Sequence, residues 1–206
     1  MYLITNRNLC DKEEYFERIK EACLCGVENI IIREKDLSDE EVEIIYEKIS
    51  KSLPKNIRKR TSILINSKMK AYEKTDCDGI HLPYWLFKEK LKEGYKFDEK
   101  KQIGLSLHST EEVVEMEEIC KNKGIKISYI TLSHIYETKC KKGLKPKGLD
   151  ILKNSGNLTK VKRVALGGID SKNVSEVLKY ADDFAVMSLI MKSNNIKETI
   201  DEMKIY

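Results

Sequence analysis

Eight short apolar runs recur along this chain, and their spacing constrains the fold more than any other feature. In order they are YLIT (Tyr2 to Thr5), NIIIR (Asn29 to Arg33), SILIN (Ser62 to Asn66), GIHL (Gly79 to Leu82), IGLSL (Ile103 to Leu107), SYITL (Ser128 to Leu132), RVALGG (Arg163 to Gly168) and DFAVMS (Asp183 to Ser188). Several are apolar at consecutive positions instead of alternating. That pattern predicts strands buried on both faces, as in a parallel sheet covered by helices.

The intervening segments carry helical periodicity with start signals. Ser38 with Glu41, Ser109 with Glu112 and Asp11 with Glu14 have the spacing of a capping box or a close variant, which satisfies amides left free in a first helical turn. After Ser38, the side chains of Val42, Ile45 and Ile49 fall on one face; after Ser109, those of Val113, Met116 and Cys120 do the same. Gly26 and Gly124 stand where helix C-termini take a left-handed residue. Eight strands alternating with helices fit either a closed (β/α)8 TIM barrel or an open doubly wound sheet, and the count of eight favours the barrel. An open sheet binding a dinucleotide should show G-x-G-x-x-G after its first strand, whereas YLITNRNLC contains no glycine. The expectation is one α/β TIM-barrel domain over residues 1–206.

Charge argues against a nucleic-acid partner, since 38 basic and 34 acidic residues leave a net +4 dispersed along the chain. The most basic run, KNIRKRT from Lys55 to Thr61, has no interleaved aromatics and reads as a solvated connecting loop. Six cysteines show neither CxxC pairs nor a disulfide-scaffold spacing, which fits a reducing cytoplasm. No leader-like segment opens the chain and no apolar run approaches the ~20 residues that cross a bilayer, so a soluble cytoplasmic protein without a membrane partner is expected.

Barrels of this type bind ligands at the C-terminal ends of their strands, so the residues closing the apolar runs form one ring. That ring is polar and strongly cationic, which implies an anionic ligand. Gly167 and Gly168, ahead of a candidate helix cap at Asp170, let backbone amides approach a ligand; together with Met187 and Ser188 closing the eighth run they make a candidate phosphate site. Arg33 or Lys35, directly after NIII, can hold a carboxylate or phosphate, and Asn66 and Ser106 close the third and fifth runs. His81 reads equally as a satisfied core histidine or a ligand contact, and His108, beside the Ser109 cap, as a structural hydrogen-bonding residue. His134 follows its strand in the polar stretch SHIYETKCKKG, faces a lysine-rich loop and is the candidate general acid/base. Nothing in the sequence supports a Cys140 thiolate nucleophile.

YLITNR, IIIREKD, ILINSKM, DGIHL, GLSLHS, KGLDIL, VALGGI and DFAVMSLI together resemble the successive strand-end motifs of the thiamine phosphate synthase superfamily. The resemblance runs along nearly the whole chain and implies a TIM barrel. In the synthase branch, which joins a pyrimidine pyrophosphate to a thiazole phosphate, aspartates after strands three and four hold magnesium. Ser67 and Leu86 stand at the corresponding positions here, and Ile31 replaces a glutamine. After strand six, His134 and Glu137 stand where synthases carry prolines, and the loop is similar to that of the TenI-like thiazole tautomerases. The resemblance therefore implies a tautomerase: a metal-free, cofactor-free isomerase converting a carboxy-thiazole phosphate with an exocyclic double bond into its aromatic isomer. His134 would shuttle the proton, Lys141, which aligns with a lysine that synthases use near their substrate, and Thr138 would join the substrate contacts, and the phosphorylated thiazole carboxylate would be the partner molecule. The alternatives are a thiamine phosphate synthase and a non-catalytic ligand-sensing barrel, and the resemblance also allows a homodimer.

Overall fold

The computed structural model of the chain describes residues 1–138 and 143–204. All eight apolar runs form strands: β1 (Tyr2–Ile4), β2 (Asn29–Ile32), β3 (Ser62–Asn66), β4 (Gly79–Pro83), β5 (Gln102–Leu107), β6 (Tyr129–Ser133), β7 (Lys162–Leu166) and β8 (Asp183–Val186). They follow one another in order as a closed parallel barrel, the (β/α)8 TIM barrel that the alternation of elements predicts. The helices are α1 (Tyr15–Leu24), α2 (Asp39–Ser52), α3 (Lys55–Arg58), α4 (Met69–Lys74), α5 (Tyr84–Lys92), α6 (Thr110–Lys123), α7 (Asp150–Ser155), α8 (Val174–Val177), α9 (Ser188–Met191) and α10 (Ile196–Met203). Among the described residues, no helix is long and apolar enough to cross a membrane. By internal contact the chain forms two compact units, residues 1–80 with 186–206 and residues 81–185.

In the first unit, β1 pairs with β2 and β2 with β3, in a register that sets Ile4 beside Ile31 and Ile32 beside Ile65. Leu3, Ile30 to Ile32 and Ile63 to Ile65 are all buried, and Ile19 and Ile49, from α1 and α2, are equally hidden. Fully burying each such side chain stabilises the fold by about 1.5–3 kcal/mol. Helix α2 starts with the capping box expected at Ser38: its Oγ accepts from the Glu41 amide at 3.2 Å, and Glu41 Oε2 accepts from the Ser38 amide at 2.7 Å. Asp11 and Glu14 do not repeat this. Helix α1 begins only at Tyr15, and Asp11 supplies just a backbone carbonyl to the Glu14 amide, at 3.1 Å, because a turn precedes the helix. The basic KNIRKRT run is a short helix, α3, and not a solvated loop throughout: Ile57 is buried and Arg58 pairs with Asp78 at 3.0 Å.

In the second unit, β5 pairs with β6 and β6 with β7, placing Gly104 beside Tyr129, Ser106 beside Thr131 and Ser133 beside Leu166. Successive residues point to opposite faces of a strand, so Gly104 and Ser106 share a face with Tyr129, Thr131 and Ser133. The opposite face carries Leu105, Leu107, Ile130 and Leu132, each 0% exposed. Ser109 caps α6 by accepting from the Glu112 amide at 3.2 Å, but Glu112 returns its carboxylate to the His108 amide, one residue before the cap. Gly124 ends α6 in the left-handed conformation, as the sequence predicts. Asp170 does not cap α8; that position belongs to Asn173, whose side chain turns back to accept from the Asp170 amide and donate to the Gly168 carbonyl.

Candidate active site

The polar face of β4 to β6 carries a continuous hydrogen-bonded chain. His81, on β4, sets Nδ1 2.9 Å from the Tyr129 hydroxyl and Nε2 2.7 Å from Ser106 Oγ, and Thr131 donates to Ser106 at 3.2 Å. The His81 and Tyr129 rings stack with centroids 5.5 Å apart. One step further along, His108 Nδ1 lies 3.1 Å from both the carbonyl and the hydroxyl of Ser133. His81 and Tyr129 are buried, whereas Ser106 is partly exposed at the C-terminal part of β5. Gly104 makes room for this arrangement: a Cβ there would sit 2.1 Å from Tyr129 Cζ.

The loop after β6 continues that strand's pairing. The Ile135 amide donates to the Leu166 carbonyl at 3.0 Å and the Tyr136 amide to the Gly167 carbonyl at 2.9 Å. The returning chain closes against it, with the Lys147 amide on the His134 carbonyl and the Gly148 amide on the Ile135 carbonyl. Gly167 and Gly168 take φ of 107° and 69°, and an added Cβ would meet His134 Cβ at 2.5 Å and the Glu137 carbonyl oxygen at 2.6 Å respectively. Both glycines are thus required by the loop lying over them as well as by their left-handed backbone. His134 is buried and its Nε2 lies 3.2 Å from the Leu144 carbonyl. The Tyr136 hydroxyl donates to Glu176, and burial together with that carboxylate pushes its ionisation upward. Thr138 is partly exposed, and Lys141 lies outside the described residues.

In the first unit the strand ends converge on Glu34, a carboxylate only 3% exposed. It accepts from Thr5 Oγ1 at 2.6 Å, Tyr15 Oη at 2.9 Å and the Arg7 amide at 3.0 Å. Three donors around one buried carboxylate supply the compensation that burying charge demands. Burial first, and the Glu34 charge second, raise the Tyr15 pKa well above its ordinary value. Arg33 is half-buried, with its amide donating to Thr5 Oγ1, and Lys35 is exposed. Since Ile32 pairs with Ile65, the next positions, Arg33 and Asn66, stand beside each other at the strand ends. Asn66 donates to Ser67 Oγ at 2.9 Å, and Ser67 is left-handed with φ 63°. Met187 is partly exposed and Ser188 is exposed, at the start of α9, which packs against the turn Arg7–Leu9.

The sequence profile of thiamine monophosphate synthase matches residues 1–190. The chain belongs to the thiamine monophosphate synthase family. Two relatives, both named thiamine-phosphate synthase, illustrate the likeness. That of Pyrococcus furiosus is 30% identical over 207 residues, covering 99% of this chain and 92% of its own; that of Clostridium acetobutylicum is 28% identical over 204 residues, covering 96% and 90%. The fold is shared with the thiamine phosphate pyrophosphorylase structure from Pyrococcus furiosus, at a TM-score of 0.76 and 24% identity over 98% of this chain and 92% of that one.

These relatives overturn the tautomerase expectation. It rested on the loop after β6 and on Ser67, Leu86 and Ile31 at positions where synthases carry other residues, whereas the family match to relatives bearing the synthase name extends over nearly the whole chain. These few changed residues were weighed above the complete set of strand-end motifs. Family membership also raises the question of magnesium, and the residues present do not fit it. Ser67 offers a neutral hydroxyl that already accepts from Asn66, and Leu86 offers only hydrocarbon where a hard cation needs oxygen. Among the described residues there is no group of three or more His, Cys, Asp or Glu able to hold a metal ion.

Sequence reading passed over Tyr129, Thr131 and Ser133 as functional side chains, although their period-two spacing, in step with Ser106 and His108, was a usable signal. Glu34 was visible only as one charge of REKD, and its burial depends on Thr5 and Tyr15 from distant parts of the chain.

Proposed function

We propose that this chain is a thiamine-phosphate synthase, joining a pyrimidine pyrophosphate to a thiazole phosphate. The observation that supports the reading best is the family match over residues 1–190, with synthase relatives aligned along nearly the full chain. In this reaction the thiazole ring nitrogen forms a bond to the pyrimidine methylene carbon while the carbon–oxygen bond to pyrophosphate breaks. The electron pair leaves with pyrophosphate and no proton is transferred in that step. The demands on the protein are alignment of two phosphorylated rings and stabilisation of a polyanionic leaving group.

The polar strand ends are suited to those demands. The backbone of the left-handed Gly167–Gly168 turn and the Ser106 hydroxyl are assigned to phosphoryl oxygens, with Thr138 beside them in sequence order after β6. Arg33, Lys35 and Asn66, closing β2 and β3, are assigned to substrate anions, as are Lys141 and the Met187–Ser188 segment. His134, bound to the Leu144 carbonyl and packed on Gly167, is assigned to holding the base of the β6 loop in place.

The test is to incubate the purified chain with both phosphorylated precursors and magnesium, then quantify thiamine phosphate by oxidation to its fluorescent thiochrome. Product at an enzymatic rate supports the reading. Binding of both precursors with no product would refute it in favour of a non-catalytic, ligand-sensing barrel.

A further inference from the structure

The chain of groups Tyr129, His81, Ser106 and Thr131 runs from a fully buried phenol to a partly exposed hydroxyl. Ser106 Oγ already accepts from Thr131 at 3.2 Å. For a neutral imidazole, two proton arrangements satisfy the remaining distances. In one, the phenol donates to His81 Nδ1 and Nε2–H donates to Ser106; in the other, Nδ1–H donates to the phenol oxygen and Ser106 donates to Nε2. A phenol is the stronger donor and an imidazole nitrogen the stronger acceptor, which favours the first arrangement. Ser106 then accepts twice, from His81 and Thr131, filling both lone pairs. Its own proton can only point away from these partners.

We propose that Tyr129 is a positioning residue which, acting through His81, fixes Ser106 as an obligate hydrogen-bond donor to a phosphoryl oxygen of the substrate. The proposal rests on the reading of this chain as a synthase for phosphorylated substrates and deepens it. A phosphoryl oxygen accepts but does not donate, so it is matched by a hydroxyl with a committed proton and repelled by one presenting a lone pair. The backbone is shaped for this role. Gly104 stands directly beside Tyr129 on β5, and a Cβ there would lie 2.4 Å from the phenol oxygen and 2.5 Å from Cε1. The phenol reaches His81 only because β5 has no side chain at that point.

Two measurements test the proposal. Long-range proton–nitrogen NMR of the free protein, with His81 assigned by comparison with His81→Gln, should show an unprotonated Nδ1 and a protonated Nε2. An Nδ1–H tautomer in the wild type overturns the proposal, whatever any variant does. Calorimetric binding of inorganic pyrophosphate should weaken about tenfold in Tyr129→Phe and about tenfold in Ser106→Ala, the order expected for one hydrogen bond to a charged group. The double variant should lose no more than either single one, because both changes remove the same donated proton. Losses that multiply in the double variant, or no pyrophosphate binding by the wild type, overturn it. Absence of thiamine phosphate synthesis alongside the expected tautomer and coupling would refute the synthase reading and leave the relay standing.

Discussion

Gly104→Ala isolates the most crowded contact in the polar face of the second unit. The new methyl carbon would lie 2.1 Å from Tyr129 Cζ, with the phenol oxygen and Cε1 within 2.5 Å. The backbone is not the obstacle, because Gly104 is not among the glycines with positive φ. Alanine would even gain about 0.4–1 kcal/mol by restricting the unfolded chain. Against that, forcing a methyl group onto a 0% exposed ring costs about 1–3 kcal/mol in overpacking. Moving the phenol off His81 adds about 1–3 kcal/mol for a disrupted buried hydrogen bond. The net loss is about 1–5 kcal/mol, equivalent at its middle to roughly 10 °C in Tm for a domain of this size. Urea unfolding followed by circular dichroism measures it as a lower midpoint at unchanged m. The decisive control is Tyr129→Leu, which removes Cε1, Cζ and the oxygen together. In that background Gly104→Ala should be close to neutral, giving a coupling energy nearly as large as the single-variant loss. Equal losses with and without the ring would refute the steric argument.

Glu34→Gln should lower stability by about 2–4 kcal/mol in thermal unfolding, because the amide sets N–H donors against those of Thr5, Tyr15 and Arg7. Ser67→Gly should raise the unfolding midpoint, since relief of a left-handed non-glycine residue is worth about 1–2 kcal/mol; a lower midpoint would show that the Asn66–Ser67 bond outweighs it. Alkaline pH should destabilise the fold through Cys23 and Cys120. Burial pushes Cys23 from 9.0 to about 12, and burial followed by the Glu117 charge pushes Cys120 from 9.0 to about 11. With both raised in the folded state, their contribution is complete below pH ~9 and is lost as pH rises toward the folded values. Equilibrium unfolding between pH 8 and 11 should therefore show a falling midpoint, with a shallower slope in Cys23→Ala.

The barrel was legible because a parallel strand must hide two faces, and that requirement writes consecutive Ile and Leu into β2 and β3. The cap at Ser38 was legible because it is local, needing only Glu41 three residues on. Asp11 failed as a cap because spacing alone does not say where a helix starts once a turn intervenes. The site was less legible. Arg33 and Asn66 could be placed at strand ends from position alone, but Glu34 acquires its burial from Thr5 and Tyr15, which no local pattern announces. The His81 to Ser106 connection likewise depends on which strands become neighbours and at what register. Reaction type was least legible, because residues in a loop can vary while the strand-end frame that defines the family persists.

The two ends of the β6 loop are stapled together, Lys147 to His134 and Gly148 to Ile135, on a stem that also pairs with β7. Such a neck separates the contents of a loop from its anchorage. Tyr136 and Glu137, just past the first staple, still lean on the barrel: Tyr136 pairs with Gly167, and both residues press on Gly168. Drift along this neck is therefore coupled to β7, and a designer who recasts it must keep the two glycines and the staples together.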